Sequence, residues 1–276
     1  MKKVVVLLLI FFILPAWKWG RGLTVSQLKE EYENHFLSKD SQGNLYRTPR
    51  LYGGNEVPIE KSIDNGESWQ GIGKIGVALT YSAWGSALFV DRKDKIYFVC
   101  GGSVQFSYSS DYGRNWSTAT TIPGAKGYHP KIFVDSQGTV YVIWYAGRTL
   151  VRDIYLAISQ DGGRNWKTER LRQGEGGSFT ESDNIVYLSY VKTKTLYFSY
   201  TRDRGKTWSV ETFRFLVPMM NPYVKVYRGK IYLLFQGYKP DLLNIVPSSR
   251  VKYNLFLTTS RDRGKTWKGL ERLTDN

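Results

Sequence analysis

The eight residues Ser159-Gln-Asp161-Gly-Gly163-Arg-Asn-Trp166 decide the fold, because the chain repeats them. The same pattern, Ser/Thr-x-Asp-x-Gly-x-x-Trp, stands at Ser62–Trp69, Ser109–Trp116, Thr201–Trp208 and Ser260–Trp267. The successive tryptophans Trp69, Trp116, Trp166, Trp208 and Trp267 lie 47, 50, 42 and 59 residues apart. A period of about 40–50 residues in a chain rich in Tyr, Trp and Gly is that of propeller blades or a similar β array. The residue types suit a tight turn between strands. The Asp and Ser/Thr oxygens accept backbone N–H groups that the turn leaves without partners. The Gly supplies a positive φ without a Cβ clash. The Trp buries a large ring where the next strand starts. Asp64, Asp111, Asp161, Asp203 and Asp262 are therefore expected as turn residues, not as catalytic acids or metal ligands.

A second motif lies upstream of each of the first three boxes: Asp40-Ser-Gln-Gly43-Asn-Leu-Tyr46, Asp91-Arg-Lys-Asp-Lys-Ile-Tyr97 and Asp135-Ser-Gln-Gly138-Thr-Val-Tyr141. Tyr227-Arg-Gly229-Lys-Ile-Tyr232 is a weaker copy. Each sits between short apolar or alternating runs and reads as a hairpin turn. One unit can be laid out in full: strands at Lys131–Val134, Val140–Tyr145, Asp153–Ile158 and Lys167–Leu171, with turns at Asp135–Gly138 and at the box. The fold class is therefore all-β, a β-propeller of four-stranded antiparallel blades.

The box resembles the Asp-box, or BNR, repeat of sialidases and related proteins. The resemblance covers five units, roughly Asn34 to Leu273. It implies a six-bladed propeller, of which five blades are recognisable here; either the segment Leu23–Phe36 helps complete the ring or the propeller is a five-bladed or truncated version. Within that segment Gln27–His35 reads as helical. The resemblance also places the boxes at the blade periphery. The basic residues in and beside them (Arg114, Arg164, Arg202, Arg204, Lys206, Arg261, Arg263 and Lys265) are expected to form an exposed rim.

The remaining composition narrows the function. The chain has 276 residues, with 39 Lys and Arg against 24 Asp and Glu, a net charge of +15. Such an excess favours anionic partners (a glycan or other anionic polymer such as a cell-wall polymer, a nucleic acid or a phospholipid surface) without choosing between them. No nucleic-acid-binding motif accompanies it. Cys100 is the single cysteine, so no intrachain disulfide forms. With His35 and His129 the only histidines, no metal or other cofactor is expected. Lys2 and Lys3 precede an apolar run from Val4 to Ile13, closed by Leu14-Pro-Ala16. Residues 1–20 read as a signal peptide or N-terminal membrane anchor, and 21–276 as the propeller domain, lying outside the cytoplasm.

Propeller sites lie where the innermost strands open onto the central channel. The segments assigned there are Tyr81–Gly85, Gly127–Lys131, Phe179–Asn184 and Met220–Tyr223. They offer Trp84, His129, Asn221 and Tyr223 as ligand-binding residues: aromatic faces stack on sugars and polar groups fix hydroxyls. The resemblance implies an arginine triad for a carboxylate, a Tyr nucleophile paired with Glu, and an Asp acid/base. Glu181 with Tyr128 is the nearest match to the catalytic pair. Tyr46-Arg47-Thr48-Pro49 is a partial match to the family's first arginine motif, but its position after the Asp40 turn puts it on a second strand. The expected function is glycan recognition by an exported sialidase-like propeller with an incomplete or rearranged catalytic set. The alternatives are an active exo-sialidase or other glycoside hydrolase, and a non-catalytic envelope scaffold that holds a protein partner.

Overall fold

In the computed structural model the described residues are 24–27, 29, 37–49, 54–78, 85–148, 151–237 and 253–274. The leader, Trp84 and most of the expected helix at 27–35 lie outside them. Residues 25–27 and 29 are helical.

Antiparallel meanders build the fold, as the alternation of short apolar runs and turns dictates. The first unit is β1 (Ser38–Lys39), β2 (Leu45–Arg47), β3 (Glu56–Ser62) and β4 (Gln70–Gly76). The second is β5 (Ser86–Val90), β6 (Ile96–Cys100), β7 (Gly102–Ser109) and the first half of β8 (Thr120–Val134). The second half of β8 turns inward and opens the third unit, with β9 (Val140–Arg148), β10 (Val151–Ser159) and β11 (Lys167–Gln173). These two units thus share one seven-stranded sheet. The fourth is β12 (Glu175–Ser182), β13 (Ile185–Lys192), β14 (Thr195–Thr201) and β15 (Ser209–Arg214). The fifth is β16 (Met219–Tyr227), β17 (Lys230–Gly237), β18 (Asn254–Ser260) and β19 (Lys268–Arg272). The strand layout expected for the third unit holds, with each strand longer by a few residues. In the opening segment, Lys29 Nζ donates to Leu273 O of the last unit at 2.7 Å.

Each box is one hydrogen-bonded lock. In the third unit Ser159 Oγ donates to Asp161 Oδ1 (2.7 Å) and accepts from Gly163 N (2.8 Å). Asp161 Oδ1 also accepts Asn165 N (2.9 Å), and Asp161 Oδ2 accepts Asn165 Nδ2 (2.7 Å). The other four boxes repeat the set with Ser68, Asn115, Thr207 and Thr266 in the place of Asn165. Two successive residues take positive φ in every box, for example Gly162 at 77° and Gly163 at 95°. The indole Nε1 of Trp69, Trp116, Trp166 and Trp267 donates to the box glycine carbonyl at 3.0–3.1 Å. Trp208 departs from this, its buried Nε1 lacking a hydrogen-bond partner among the described residues.

The box does more than turn the chain: it fastens each unit to the one before. Trp166 meets Phe106 of the second unit edge-on, with ring centroids 5.2 Å apart. Trp208 meets Tyr141 at 6.1 Å, and Trp267 meets Phe198 at 5.5 Å, in the same T-shaped manner. Such pairs add about 0.5–1.5 kcal/mol each beyond the area they bury. The box glycine lies against the same neighbour. A Cβ on Gly113 would stand 2.7 Å from Ile72 Cδ1, and one on Gly205 2.5 Å from Ile158 Cδ1. The apolar layers follow this plan, each drawn from two successive units and containing or bordered by the later unit's box tryptophan. Trp69, in the first unit, instead lies beneath Arg47 Cζ at 3.9 Å. Most of the basic box residues are exposed, as expected. Arg204 differs. It reaches back to the third unit, donating to Thr139 Oγ1 (2.8 Å) and Gln160 O (3.0 Å).

The Asp40, Asp91 and Asp135 turns close the first hairpin of units one to three. Each carboxylate accepts a tyrosine hydroxyl six residues on, from Tyr46, Tyr97 and Tyr141, at 2.9–3.0 Å. Units four and five use two-residue turns instead, with both residues at positive φ: Asp183 and Asn184 at 54° and 58°, Arg228 and Gly229 at 49° and 70°.

Two outcomes test the lock. Gly163→Ala combines a positive φ with a clash against Phe106, whereas Gly162→Ala meets open space. Urea unfolding should show a loss of about 2–4 kcal/mol for the first and about 1 kcal/mol for the second. Equal losses would remove the inter-unit role of the glycine. The box carboxyls titrate low. Hydrogen bonds led by those from Ser62 to Asp64, Asn115 N to Asp111, Thr207 to Asp203 and Thr266 to Asp262 bring them from 3.8 to about 2. A depressed carboxyl stabilises the fold above its unfolded value and loses that contribution as pH falls through its folded value. Circular dichroism should therefore stay native to about pH 4 and show unfolding between roughly pH 4 and 2.

Candidate functional site

Strands one and three of each unit run in the same direction, so the Asp turns and the boxes share one face, here the box face. The innermost strands begin on the opposite face, the mouth. There the sequence forces a repeated kink. β8 shifts register between Tyr128 and Lys131, β12 between Glu175 and Ser178, and β16 between Met220 and Tyr223. Each shift holds a residue at positive φ: His129 at 47°, Gly176 at 66° and Asn221 at 49°. Gly85, just before β5, has φ 85°. Bulges of this kind bend a strand and re-aim its side chains. Successive kinks abut. A Cβ on Gly85 would lie 3.1 Å from His129 Cα, and one on Gly176 2.6 Å from Pro222 Cδ. Glycine is required at both places by space as well as by φ.

His129 is exposed and left-handed, a strained state for a residue with a side chain. Around it the structure assembles a cluster from three strands. The rings of His129 and Tyr145 on β9 are 5.3 Å apart. Arg152 on β10 holds its guanidinium carbon 5.2 Å from the Tyr145 ring centre. Tyr128 is the ladder partner of Tyr145, and Lys131 is half-buried two residues beyond His129. Desolvation, with the charges of Arg152 and Lys131, holds the His129 pKa below its usual 6.5. Desolvation also lowers the Lys131 pKa. The cluster is thus a cationic and aromatic surface around an imidazole that is neutral at pH 7. The nearby carboxylate of Asp153 is taken by Arg170 at 2.8 Å.

The structure distributes the expected site residues between the two faces. Tyr128, His129 and Asn221 lie at the mouth, where Asn221 Nδ2 donates to Gln236 Oε1 at 2.9 Å. Tyr223 follows the β16 shift and packs among Tyr232, Leu234 and Leu255. Trp84 lies outside the described residues. Glu181 is not with Tyr128. The segment Phe179–Asn184, expected at the mouth, is the far end of β12 and its turn to β13. The Asp183-Asn184 pair is a two-residue hairpin turn, and it was the signal for this placement. From Tyr128 to Val134 β8 spans about 20 Å, which separates the mouth from the box face. Glu181 serves there as a clamp between units, accepting Ser136 N (2.9 Å) and Ser136 Oγ. Asp94 accepts Ser41 N and Oγ in the same way between units two and one. A cleft of about 510 Å³ opens beside Glu181, floored by Phe89 and Phe133, with Arg92 3.6 Å from its carboxylate. Arg47 is on β2 as expected, and is bound to Glu60 at 2.7 Å.

Sequence reasoning missed Tyr145 and Arg152, and named Lys131 only as part of a segment. Their assembly depends on the register of the β8–β9–β10 ladder, Tyr128 against Tyr145 and Arg152 against Gly147. Among the described residues no group of three or more His, Cys, Asp and Glu is placed to hold a metal ion. No helix among them is long and apolar enough to cross a membrane.

No family model matches the chain. It is similar to a xyloglucanase of Paenibacillus sp., at 25% identity over 248 residues, 77% of this chain. The chain spans only 23% of that protein's length. Among solved structures it is similar to an ulvan lyase of polysaccharide lyase family PL25, with a TM-score of 0.61 and 11% identity over 87% of this chain and 70% of the other. A protein of unknown function from Dyadobacter fermentans gives a TM-score of 0.56 at 16% identity, over 80% and 74%. The polysaccharide lyase Uly1 gives 0.51 at 12%, over 80% and 57%. At these identities the likeness is one of fold: an all-β, propeller-like array of four-stranded antiparallel sheets.

The electrostatics of the cluster are open to direct measurement. In the full chain the His129 imidazole should titrate below 6.5 by proton NMR, and Arg152→Ala should raise its midpoint. A wild-type midpoint at or above 6.5 would contradict the cluster.

Proposed function

We propose that this chain is an exported, Asp-box propeller of sialidase-like type that recognises an anionic glycan at its mouth. The observation that carries the reading is the convergence of His129, Tyr145, Arg152 and Lys131 on the β8 kink. Arg152 and Lys131 offer cations for carboxylate or sulfate groups, and the Tyr145 and His129 rings offer faces and donors for sugar. The net charge of +15 favours such a polymer. The similar xyloglucanase and ulvan lyase act on polysaccharides by their names, which supports a polysaccharide ligand. The basic and apolar leader supports export.

The reading is one of recognition with an incomplete hydrolytic set. Two-carboxylate hydrolysis needs a pair of carboxyls roughly 5–10 Å apart, flanking the scissile bond. Asp153 is committed to Arg170, and Glu181 to Ser136 on the other face. Isothermal titration of the full chain should show binding of polygalacturonate and weaker or no binding of neutral xyloglucan. Arg152→Ala should weaken the former about tenfold, the loss expected for one buried charge-assisted contact. Glu181→Gln should lower the melting temperature and leave the binding unchanged. Equal affinity for both polymers would refute the anionic reading. Release of new chain ends would make the protein an enzyme.

A further inference from the structure

A second cationic surface lies outside the mouth. Between the third and fourth units a shallow groove of about 360 Å³ is lined by Arg170, Leu171, Arg172, Gln173, Lys192 and Tyr197. Arg170 is neutralised by Asp153 at 2.8 Å. Arg172 and Lys192 are exposed, and neither forms an ion pair among the described residues. Both are held in place by neutral groups. Arg172 Cζ sits 5.6 Å from the Tyr197 ring centre, and Tyr197 is stacked on Tyr190 with centroids 4.9 Å apart at 11°. Lys192 Nζ donates to Gln173 Oε1 at 2.8 Å. Two ordered cations, neither ion-paired among the described residues, form a surface suited to anions.

The groove adjoins the mouth through the backbone. Gly174 N donates to Arg152 O at 2.9 Å, and Gln173 is the ladder partner of Asp153. The cations of the mouth and those of the groove therefore lie on neighbouring strands of one surface. We infer that this surface is a single track, on which a linear anionic glycan runs from the Arg152–Lys131 cluster outward over Arg172 and Lys192. The protein then holds the interior of a polymer through successive charged sugars, not one sugar at a chain end. A sugar polyanion fits better than a single-stranded nucleic acid, because Tyr190 and Arg172 already occupy Tyr197 and leave it a poor platform for a base.

This inference rests on the mouth as a glycan site, and one set of titrations separates the two. The probes are polygalacturonate, monomeric galacturonate and a single-stranded DNA oligonucleotide, each added to the full-length chain. The double variant Arg172→Gln/Lys192→Gln keeps hydrogen-bonding groups on an exposed surface, and circular dichroism checks its fold. It should bind polygalacturonate about tenfold more weakly, with a flatter salt dependence, and bind galacturonate like the wild type. Arg152→Ala should weaken both. If the double variant keeps full affinity for the polymer while Arg152→Ala loses it, the track is refuted and the mouth stands. If the wild type binds neither uronate probe, both fall. Oligonucleotide affinity equal to that for polygalacturonate would also overturn the sugar track, leaving a general polyanion surface.

Discussion

Five times in this chain, one carboxylate, one hydroxyl and one glycine solve the same problem. A turn after the third strand exposes backbone N–H groups, and the box aspartate and its Ser or Thr accept them. What makes the box indispensable is its other side. With its Cβ absent, the glycine sits against an apolar side chain of the preceding unit, and the tryptophan packs edge-on beside it. Local turn chemistry and inter-unit packing are thus one constraint. A four-stranded meander alone has two apolar faces and little to bury them against. The boxes fix the spacing at which the next unit can cover one of them.

The two faces divide the labour that this constraint permits. On the box face, carboxylates are structural: Asp135 takes the Tyr141 hydroxyl, and Glu181 and Asp94 clamp serines of the preceding unit. Each of these carboxylates accepts hydrogen bonds from a hydroxyl or a backbone N–H nearby. At the mouth the chain does the reverse. It kinks β8, β12 and β16, places residues in left-handed conformations and gathers Arg152 and Lys131 beside aromatic rings. Backbone strain at the mouth is tolerated because the locks at the other end hold the units together.

The all-β repeating unit was legible and the site only in part, for reasons visible in particular residues. Asp161, Gly163 and Trp166 act within eight residues, so their roles follow from spacing alone. Asp135 and Tyr141 are similarly local. The fourth unit lacks the Asp-x-x-Gly hairpin, and without that mark the segment Phe179–Asn184 is assigned to the mouth, which carries Glu181 to the wrong face. His129 was legible as a mouth residue. Tyr145 and Arg152 were not, since they stand 16 and 23 residues from His129 and carry no motif. Arg204, read as rim, is a contact between units for the same reason: its partners Thr139 and Gln160 belong to another repeat.

By itself, then, the sequence determined the repeating unit, its turns and the stapling tryptophan, since each depends on hydrogen bonds and φ angles within a few residues. It also determined the excess positive charge. Tertiary structure alone decided where that charge acts. Strand register sets which residue of β9 and β10 faces the kink of β8, and a shift of one residue would turn Tyr145 and Arg152 to the opposite side of the sheet. The join of Gly174 to Arg152 then decides that the mouth continues into the Arg172–Lys192 groove. Pairings between distant strands leave no mark in local sequence, and so the site had to be read from the fold.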